Sequence, residues 1–282
     1  NLPFNPFALF GNKPMLPRHT ANTFKATLSK AFSLGVKQES KISNLVMEAY
    51  INVGIDPRDE TTWDRPCPTL NDVWDIYRSQ EKVTKDSLYA ALEELSGLDI
   101  FEADTNKTKT LFDLVQGVTV IDLSGYDPKT QNLVVALTLD LFYIQMQQQG
   151  SSKLEGDFRQ VNKFVLVDEA DNFMSQNFES LKKILKEGRE FGVGTILSTQ
   201  ELTHFKTKEN DYSNLILTWV IHQVANLKNQ DIKSIFNTNS KSEEEEHMSH
   251  IRTLEKHYSL CIDGKKKITK IEDLAFWQIA DD

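Results

Sequence analysis

The chain has 282 residues, 39% hydrophobic and 26% charged, with a formal net charge of −9 at pH 7. This composition is ordinary for a soluble globular protein and allows one large domain or two small ones. The acidic balance excludes a surface that binds polyanions as a whole, although local basic patches can still contact DNA. No apolar run approaches the ~20 residues of a membrane span, so we expect no membrane partner.

The two cysteines carry little chemical information. Cys67 and Cys261 are far apart in the sequence and have neither metal-binding nor redox spacing. We therefore expect a reducing, cytoplasmic setting. Because the chain begins at Asn1 rather than at a methionine, we also expect a fragment or a processed product.

The first part of the chain predicts an extended lead-in followed by helices. Residues 1–19 hold four of the eight prolines and show no sustained periodicity, which predicts an extended segment. Apolar residues then recur at helical spacing, and Thr69 with Asp72 has the pattern of a capping box. We interpret residues 20–105 as a helical insertion. Its predicted helices cover 21–34, 39–53, 69–80 and 85–95.

The pattern changes in residues 106–282, where apolar runs alternate with helical stretches. This alternation predicts an α/β fold with a mostly parallel sheet flanked by helices. An Asp-Gly pair at 263–264 predicts a closing β-hairpin, and the Ser-rich, acidic segment 237–246 predicts a mobile loop. The predicted strands are 118–123, 164–168, 195–200 and 215–222, and the predicted helices are 130–148, 178–191 and 229–236.

Two adjacent acids follow one of these predicted strands. The apolar residues 164–167 predict a strand buried on both faces, and Asp168 and Glu169 come directly after it. Open α/β sheets bind ligands at the carboxyl ends of their strands. In nucleoside triphosphatases such a pair is the Walker B motif, in which the first acid holds Mg²⁺ and the second polarises the attacking water. A buried strand that simply ends at a polar loop has the same pattern.

A second strand end supplies polar groups for the same edge. The strand predicted at 195–200 ends in Thr199 and Gln200, whose side chains can orient water or sense a γ-phosphate. Arg189 lies on the turn before this strand, where an arginine can reach the nucleotide of a neighbouring subunit. An ordinary ion pair with Glu187 or Glu190 explains Arg189 equally well.

These motifs together resemble a known superfamily. Residues 165–173 and 188–200, separated by a helix-length gap, resemble the second half of the HerA/FtsK-type motor ATPases, which include the conjugative VirB-type and coupling ATPases. The resemblance extends to Pro3–Phe7 and to residues 117–137. It implies a RecA-like P-loop NTPase core, ATP and Mg²⁺ as ligands, double-stranded DNA as a partner and a homo-oligomeric ring.

The resemblance also implies roles for individual residues. Asp168 would hold Mg²⁺, usually through water, and Thr199 would contribute to nucleotide binding. Glu169, Gln200 and Arg189 would be catalytic.

A narrower resemblance rests on residues 180–205. This segment is similar to the DptH group, the helicase-like proteins of DNA phosphorothioation-dependent restriction systems. Membership would imply a role in defence and partners of the DptF and DptG type.

One departure from the superfamily pattern limits these expectations. A P-loop needs Gly-x-x-x-x-Gly-Lys-Ser/Thr, and none of the twelve glycines begins such a sequence. We therefore expect the first strand and the P-loop to lie upstream of Asn1. The 282-residue chain alone should then bind nucleotide weakly and not turn it over.

Two other functions stay open at this point. One is a HerA-like or conjugative DNA-pumping ATPase with no link to phosphorothioation. The other is a non-catalytic DNA- or partner-binding assembly module, in which Asp168 and Glu169 are structural.

Two lysine clusters are candidates for contact with DNA. A solvated helix face and a charged hairpin edge account for the same residues. The first cluster is Lys182, Lys183 and Lys186, and the second is Lys265, Lys266, Lys267 and Lys270.

Overall fold

The computed structural model describes residues 2–11, 13–104, 106–275 and 278. The chain forms two compact units, residues 1–151 and residues 152–282. Within the described residues, no helix is both long and apolar enough to cross a membrane.

The first unit is helical. The helices predicted from apolar periodicity in this part of the chain are confirmed, with shifted ends. They are α1 (Leu16–Phe32), α2 (Val36–Asn52), α3 (Leu70–Arg78), α4 (Ser87–Gly97) and, after the short α5 (Leu111–Leu114), α6 (Pro128–Gln149). Helix α5 and a 3-10 turn at Glu60–Thr62 were not predicted.

Local capping explains where two of these helices begin. The predicted capping box of α3 is confirmed, because the Thr69 N–H donates to Asp72 at 2.6 Å and the Asp72 N–H donates to the Thr69 hydroxyl at 3.3 Å. Asp86 caps α4 by accepting from the N–H groups of Leu88 and Tyr89, each at 3.1 Å. Such side chains satisfy donors that have no partner inside the helix.

Helix α6 belongs to the helical unit. It packs on α1, and the Thr27 hydroxyl donates to Asp140 at 2.8 Å to join the two helices. The compact units therefore divide at Ser151 and not at the predicted segment boundary between 105 and 106. The lead-in is also part of this unit, since Phe4 and Phe7 are buried and the Tyr50 hydroxyl donates to the Phe7 carbonyl at 2.6 Å.

The prediction of a strand at 118–123 is wrong. Within the described residues this segment has no strand pairing, and Val118 and Val120 are 96% and 82% exposed. A strand needs a neighbour that satisfies its backbone hydrogen bonds, and no strand pairs with this one.

The second unit contains all of the named strands, β1 (Leu154–Glu155), β2 (Phe158–Arg159), β3 (Lys163–Val167), β4 (Val193–Leu197), β5 (Trp219–Ile221), β6 (Tyr258–Ile262) and β7 (Ile268–Glu272). Its helices are α7 (Asp171–Met174), α8 (Glu179–Glu187), α9 (Asn229–Phe236) and α10 (Lys241–Arg252), and 3-10 turns lie at Leu202–Phe205 and Tyr212–Leu215.

The strands form separate small sheets, which differs from the single, mostly parallel sheet that was predicted. Among the strands in the described part of the chain, only β3 and β4 are parallel, and α7 and α8 connect them. Strands β1 and β2 form an antiparallel pair, as do the successive neighbours β5, β6 and β7. The closing hairpin of β6 and β7 is confirmed. The fold class is therefore α/β, with helices and small sheets.

Strand β3 is open on one face, so the expectation of burial on both faces was wrong. Phe164 and Leu166 are 65% and 67% exposed, and Ile196, which pairs with Leu166 on β4, is 49% exposed. Because side chains alternate along a strand, these three residues lie on the same face of the pair.

The prediction of a mobile loop at 237–246 is also wrong, because helix α10 begins within this segment. The Ser240 hydroxyl accepts from the Glu243 N–H at 3.3 Å and caps the helix. Glu243 and Glu244 lie in the first turn, where the positive end of the helix dipole stabilises acidic side chains.

Candidate functional site

The carboxyl ends of β3 and β4 meet at one edge of the parallel pair. The last paired residues are Val167 and Leu197, and the Ser198 N–H donates to the Val167 carbonyl at 2.9 Å. The side chains that follow these strands are therefore neighbours along the edge. They are Asp168 and Glu169 after β3, and Thr199 and Gln200 after β4.

Glu169 has an unusual backbone conformation. Its φ is +49°, in the left-handed region, and its N–H donates to the Asp168 carboxylate at 3.1 Å. Residues other than glycine adopt this region at a cost of about 1–3 kcal/mol, and such strain clusters at functional sites. The Asp168 and Glu169 side chains are both exposed and so are accessible to a ligand.

Thr199 contacts two residues that the sequence reasoning missed. Its hydroxyl lies 2.6 Å from His204 Nδ1 and 3.4 Å from Asp171 Oδ1. Asp171 is the first residue of α7, and His204 lies on the 3-10 turn after β4. No sequence spacing identifies His204, while Asp171 lies within the motif 165–173 without an assigned role.

His204 lies between two carboxylates. Its Nδ1 is 3.9 Å from Asp171 Oδ2, and its Nε2 is 4.0 Å from Glu201 Oε2. Hydrogen bonds from the side chains of Asn226 and then Thr203 lower the pKa of Glu201, so this carboxylate is ionised at neutral pH. The edge of the sheet is thus rich in negative charge.

Arg189 lies away from this edge. It is in the turn before β4, whereas Thr199 follows the opposite end of the same strand. A five-residue strand is ~16 Å long, so Arg189 is remote from the Asp168 side of its own sheet. In the part of the chain that the structure describes, Arg189 forms no ion pair within 4.0 Å, and its neighbour Glu190 pairs with Arg159 at 3.9 Å.

The edge residues fit one half of a magnesium–nucleotide site. Exposed carboxylates are the oxygen ligands that Mg²⁺ prefers, and this ion usually keeps several waters. No group of three or more His, Cys, Asp or Glu residues that could hold a metal occurs among the residues described. Asp168 fits a water-mediated ligand that shares the ion with a phosphate. The 282 residues contain no P-loop sequence that could hold the phosphates of a nucleotide.

Some of the lysines proposed for DNA contact make side-chain contacts within the second unit. The Lys182 Nζ donates to Asn210, and the Lys266 Nζ donates to the Ile235 carbonyl at 2.9 Å. Lys270 lies over the ring of Tyr258, 4.3 Å from its centroid. These contacts agree with the interpretation of the clusters as a solvated helix face and a charged hairpin edge.

Comparison with known proteins identifies the fold. No family model and no curated protein matches the sequence. The structure of VirB4 from Thermoanaerobacter pseudethanolicus is similar, with a TM-score of 0.69 and 14% sequence identity over 98% of this chain and 75% of that chain. The chain therefore has an α/β fold similar to that of VirB4.

Proposed function

We propose that the chain provides the Walker B half of an ATP-hydrolysis site in a motor ATPase of the HerA/FtsK superfamily, to which VirB4-type ATPases belong. The observation that carries this proposal is the meeting of two polar strand ends at one sheet edge. Asp168 and Glu169 follow β3, and Thr199 and Gln200 follow its parallel neighbour β4. The fold similarity to VirB4 supports it independently.

Each edge residue has a chemical role in this proposal. Asp168 holds Mg²⁺ through water, and Glu169 polarises the water that attacks the γ-phosphate of ATP. Thr199 and Gln200 orient that water or contact the γ-phosphate. Glu169 also has a left-handed backbone, a strained conformation of the kind that clusters at functional sites.

The phosphate-binding loop comes from polypeptide outside these 282 residues in our proposal. The open face of β3 and β4 supports a covering helix in the complete site, because parallel sheets are normally covered on both faces. Phe164 and Leu166 are two-thirds exposed on this face. A pair of strands alone is also marginal in water.

Arg189 acts on the nucleotide of a neighbouring subunit in this proposal. Its distance from Thr199 along β4 leaves it no role at the edge of its own sheet. An exposed arginine without an ion pair among the described residues is suited to stabilise transition-state charge across a subunit boundary. A homo-oligomeric ring is therefore part of the proposal.

The decisive test is hydrolysis by the complete protein that includes a phosphate-binding loop. Glu169→Gln should lower the rate of ATP hydrolysis by at least about 100-fold while ATP binding persists. Glu245→Gln, which changes an exposed acid on α10, is the matched control and should hydrolyse ATP normally. Unchanged hydrolysis in Glu169→Gln would instead support the non-catalytic assembly module.

Mixed rings test the role of Arg189. Arg189→Ala alone should lower hydrolysis by about 1,000-fold. Mixing it with Glu169→Gln should restore part of the activity, because some sites then combine an intact Glu169 with an intact Arg189 from the neighbour. A mixture no more active than either variant would exclude action across the boundary.

The narrower proposal is a role in phosphorothioation-dependent DNA restriction, in the cytoplasm. It rests on the resemblance of residues 180–205 to the DptH group, with double-stranded DNA and DptF- and DptG-like proteins as partners. Genes for sulfur-modifying enzymes beside this gene, and co-purification with DptF- and DptG-like proteins, would support it. Genes for a conjugation apparatus would favour a conjugative DNA-pumping ATPase instead.

A further inference from the structure

His204 and Thr199 make a short side-chain contact at the candidate site. The distance from Thr199 Oγ1 to His204 Nδ1 is 2.6 Å, and Asp171 Oδ1 lies 3.4 Å from the same hydroxyl. Thr199 is thereby held from two sides. One contact comes from the turn that follows β4, and the other comes from the first residue of α7.

The hydroxyl of Thr199 has only one proton to donate. An ionised Asp171 can only accept, whereas an imidazole nitrogen either donates or accepts. When Nδ1 carries a proton, it donates to Thr199, and Thr199 donates to Asp171. When Nδ1 is bare, Thr199 donates to His204 instead. The proton on His204 therefore determines the direction of the Thr199 hydroxyl.

The imidazole itself is held in place by its surroundings. Leu202 and Phe205 anchor the turn in the interior, and the ring of Phe205 packs edge-on against Trp219 with centroids 4.8 Å apart. On the far side of the imidazole, Glu201 faces Nε2 at 4.0 Å. The side chain of His204 is 32% exposed, so its surroundings restrict it without sealing it from solvent.

We propose that His204 is a positioning residue for hydrolysis, which orients the Thr199 hydroxyl at the carboxyl edge of β3 and β4. This inference rests on the proposed ATPase function. With Nδ1–H donating and Asp171 accepting, one lone pair of Thr199 stays free to accept a hydrogen bond from the attacking water. His204 acts through Thr199 and does not touch the reacting atoms.

Spectroscopy on this 282-residue chain tests the contact without any ATPase assay. Nitrogen-15 shifts of the imidazole report whether Nδ1 is hydrogen-bonded and protonated. Thr199→Val should change the Nδ1 signal of His204, whereas the signal of His250, exposed on α10, should stay in place. An unchanged His204 signal in Thr199→Val would overturn the proposed contact.

Kinetics of the complete protein test the consequence. His204→Ala should lower kcat about 10- to 100-fold, because a misplaced group of this kind costs that much, while the KM for ATP stays within about threefold. His204→Asn should recover most of the rate, since its amide occupies the position of Nδ1. His250→Asn is the matched control and should leave the rate unchanged.

The outcomes separate the two proposals. Full activity in His204→Ala, or His204→Asn as slow as His204→Ala in folded protein, would overturn the positioning role while the ATPase proposal stands. Unchanged hydrolysis in Glu169→Gln would overturn the ATPase proposal and the positioning role that rests on it. The nitrogen-15 result would then still report whether His204 holds Thr199. Thermal unfolding of each variant verifies that it is folded.

Discussion

The Ala170 N–H donates to the Ser198 carbonyl at 2.8 Å, beyond Val167 and Leu197, the last paired residues of β3 and β4. This hydrogen bond extends the strand pairing into the segment that holds the two adjacent acids. It spans Glu169, whose left-handed backbone turns the chain between Asp168 and α7. The candidate site is therefore built on the sheet edge itself and not on a free loop.

The turn before β4 requires glycine at position 192. Gly192 has a φ of +71°, and a Cβ there would lie 2.6 Å from Asn162 Oδ1 and 2.7 Å from the Gln160 carbonyl. Gly192→Ala should therefore lower the free energy of unfolding by about 1–3 kcal/mol, measured by urea denaturation. The control is Gly97→Ala in α4, where a Cβ meets nothing within 4 Å. Equal stability of the two variants would contradict this view of the turn.

Asp86 should stabilise α4 through hydrogen bonding and charge. Burial raises the pKa of Asp86. The N–H groups of Tyr89 and Leu88, together with Gln38 and Lys41, lower it by a larger amount, so the folded-state pKa lies below the ordinary value. This stability is present above the unfolded pKa of ~3.9 and is lost as pH falls through the folded pKa.

Two variants of Asp86 separate the cap from the charge. Asp86→Ala should cost about 1 kcal/mol at pH 7, whereas Asp86→Asn should cost less because asparagine also caps helices. Denaturant titrations from pH 7 down to pH 2 measure both. The difference between wild type and Asp86→Asn should shrink as the pH falls. A difference that does not depend on pH would show that the charge is unimportant.

Glu94 should have the opposite pH dependence. Burial, followed by a hydrogen bond with Asp127 and the charge of that residue, raises the pKa of Glu94. Since the folded state binds this proton more tightly, stability falls as pH rises from the ordinary value of ~4.3 through the folded pKa.

Glu94→Gln removes that ionisation. The variant should be more stable than wild type at pH 8 and should lose this advantage near pH 4. Thermal unfolding at the two pH values measures the difference, with Glu93→Gln on the next position of the same helix as the control. A variant that is less stable at pH 8 would show that the carboxylate contributes favourably to the fold.

The helices of the first unit could be predicted because their signals are local. Apolar spacing and the caps at Thr69 and Asp86 operate within one or two turns. Strands depend on distant partners, and Val118 and Val120 have a strand-like pattern without a neighbour that pairs with them. The like charges of segment 237–246 predict a loop, whereas the signal for helix α10 is a single capping serine, Ser240.

The candidate site was predictable only in part for the same reason. Asp168, Glu169, Thr199 and Gln200 follow apolar strands, so their shared edge follows from the rules of parallel sheets. The contact of His204 with Thr199 depends on how a 3-10 turn folds back after β4. The left-handed conformation of Glu169 also has no sequence signal, since glycine and asparagine are the usual residues there.

The open face of β3 gives a final prediction that links the fold to the proposed site. Leu166 is 67% exposed in this chain, so Leu166→Thr should change the free energy of unfolding by less than about 0.5 kcal/mol. Leu181→Ala on α8 is the control. Because the Leu181 side chain is fully buried, this change should lower the free energy of unfolding by about 2–5 kcal/mol, as for other core leucines. In a longer protein that includes the proposed phosphate-binding loop, the same Leu166→Thr change should be destabilising by about 1 kcal/mol or more, because the proposal has further polypeptide covering this face. Urea denaturation of both proteins measures the difference, and an equally small effect in both would mean that this face of β3 stays in solvent.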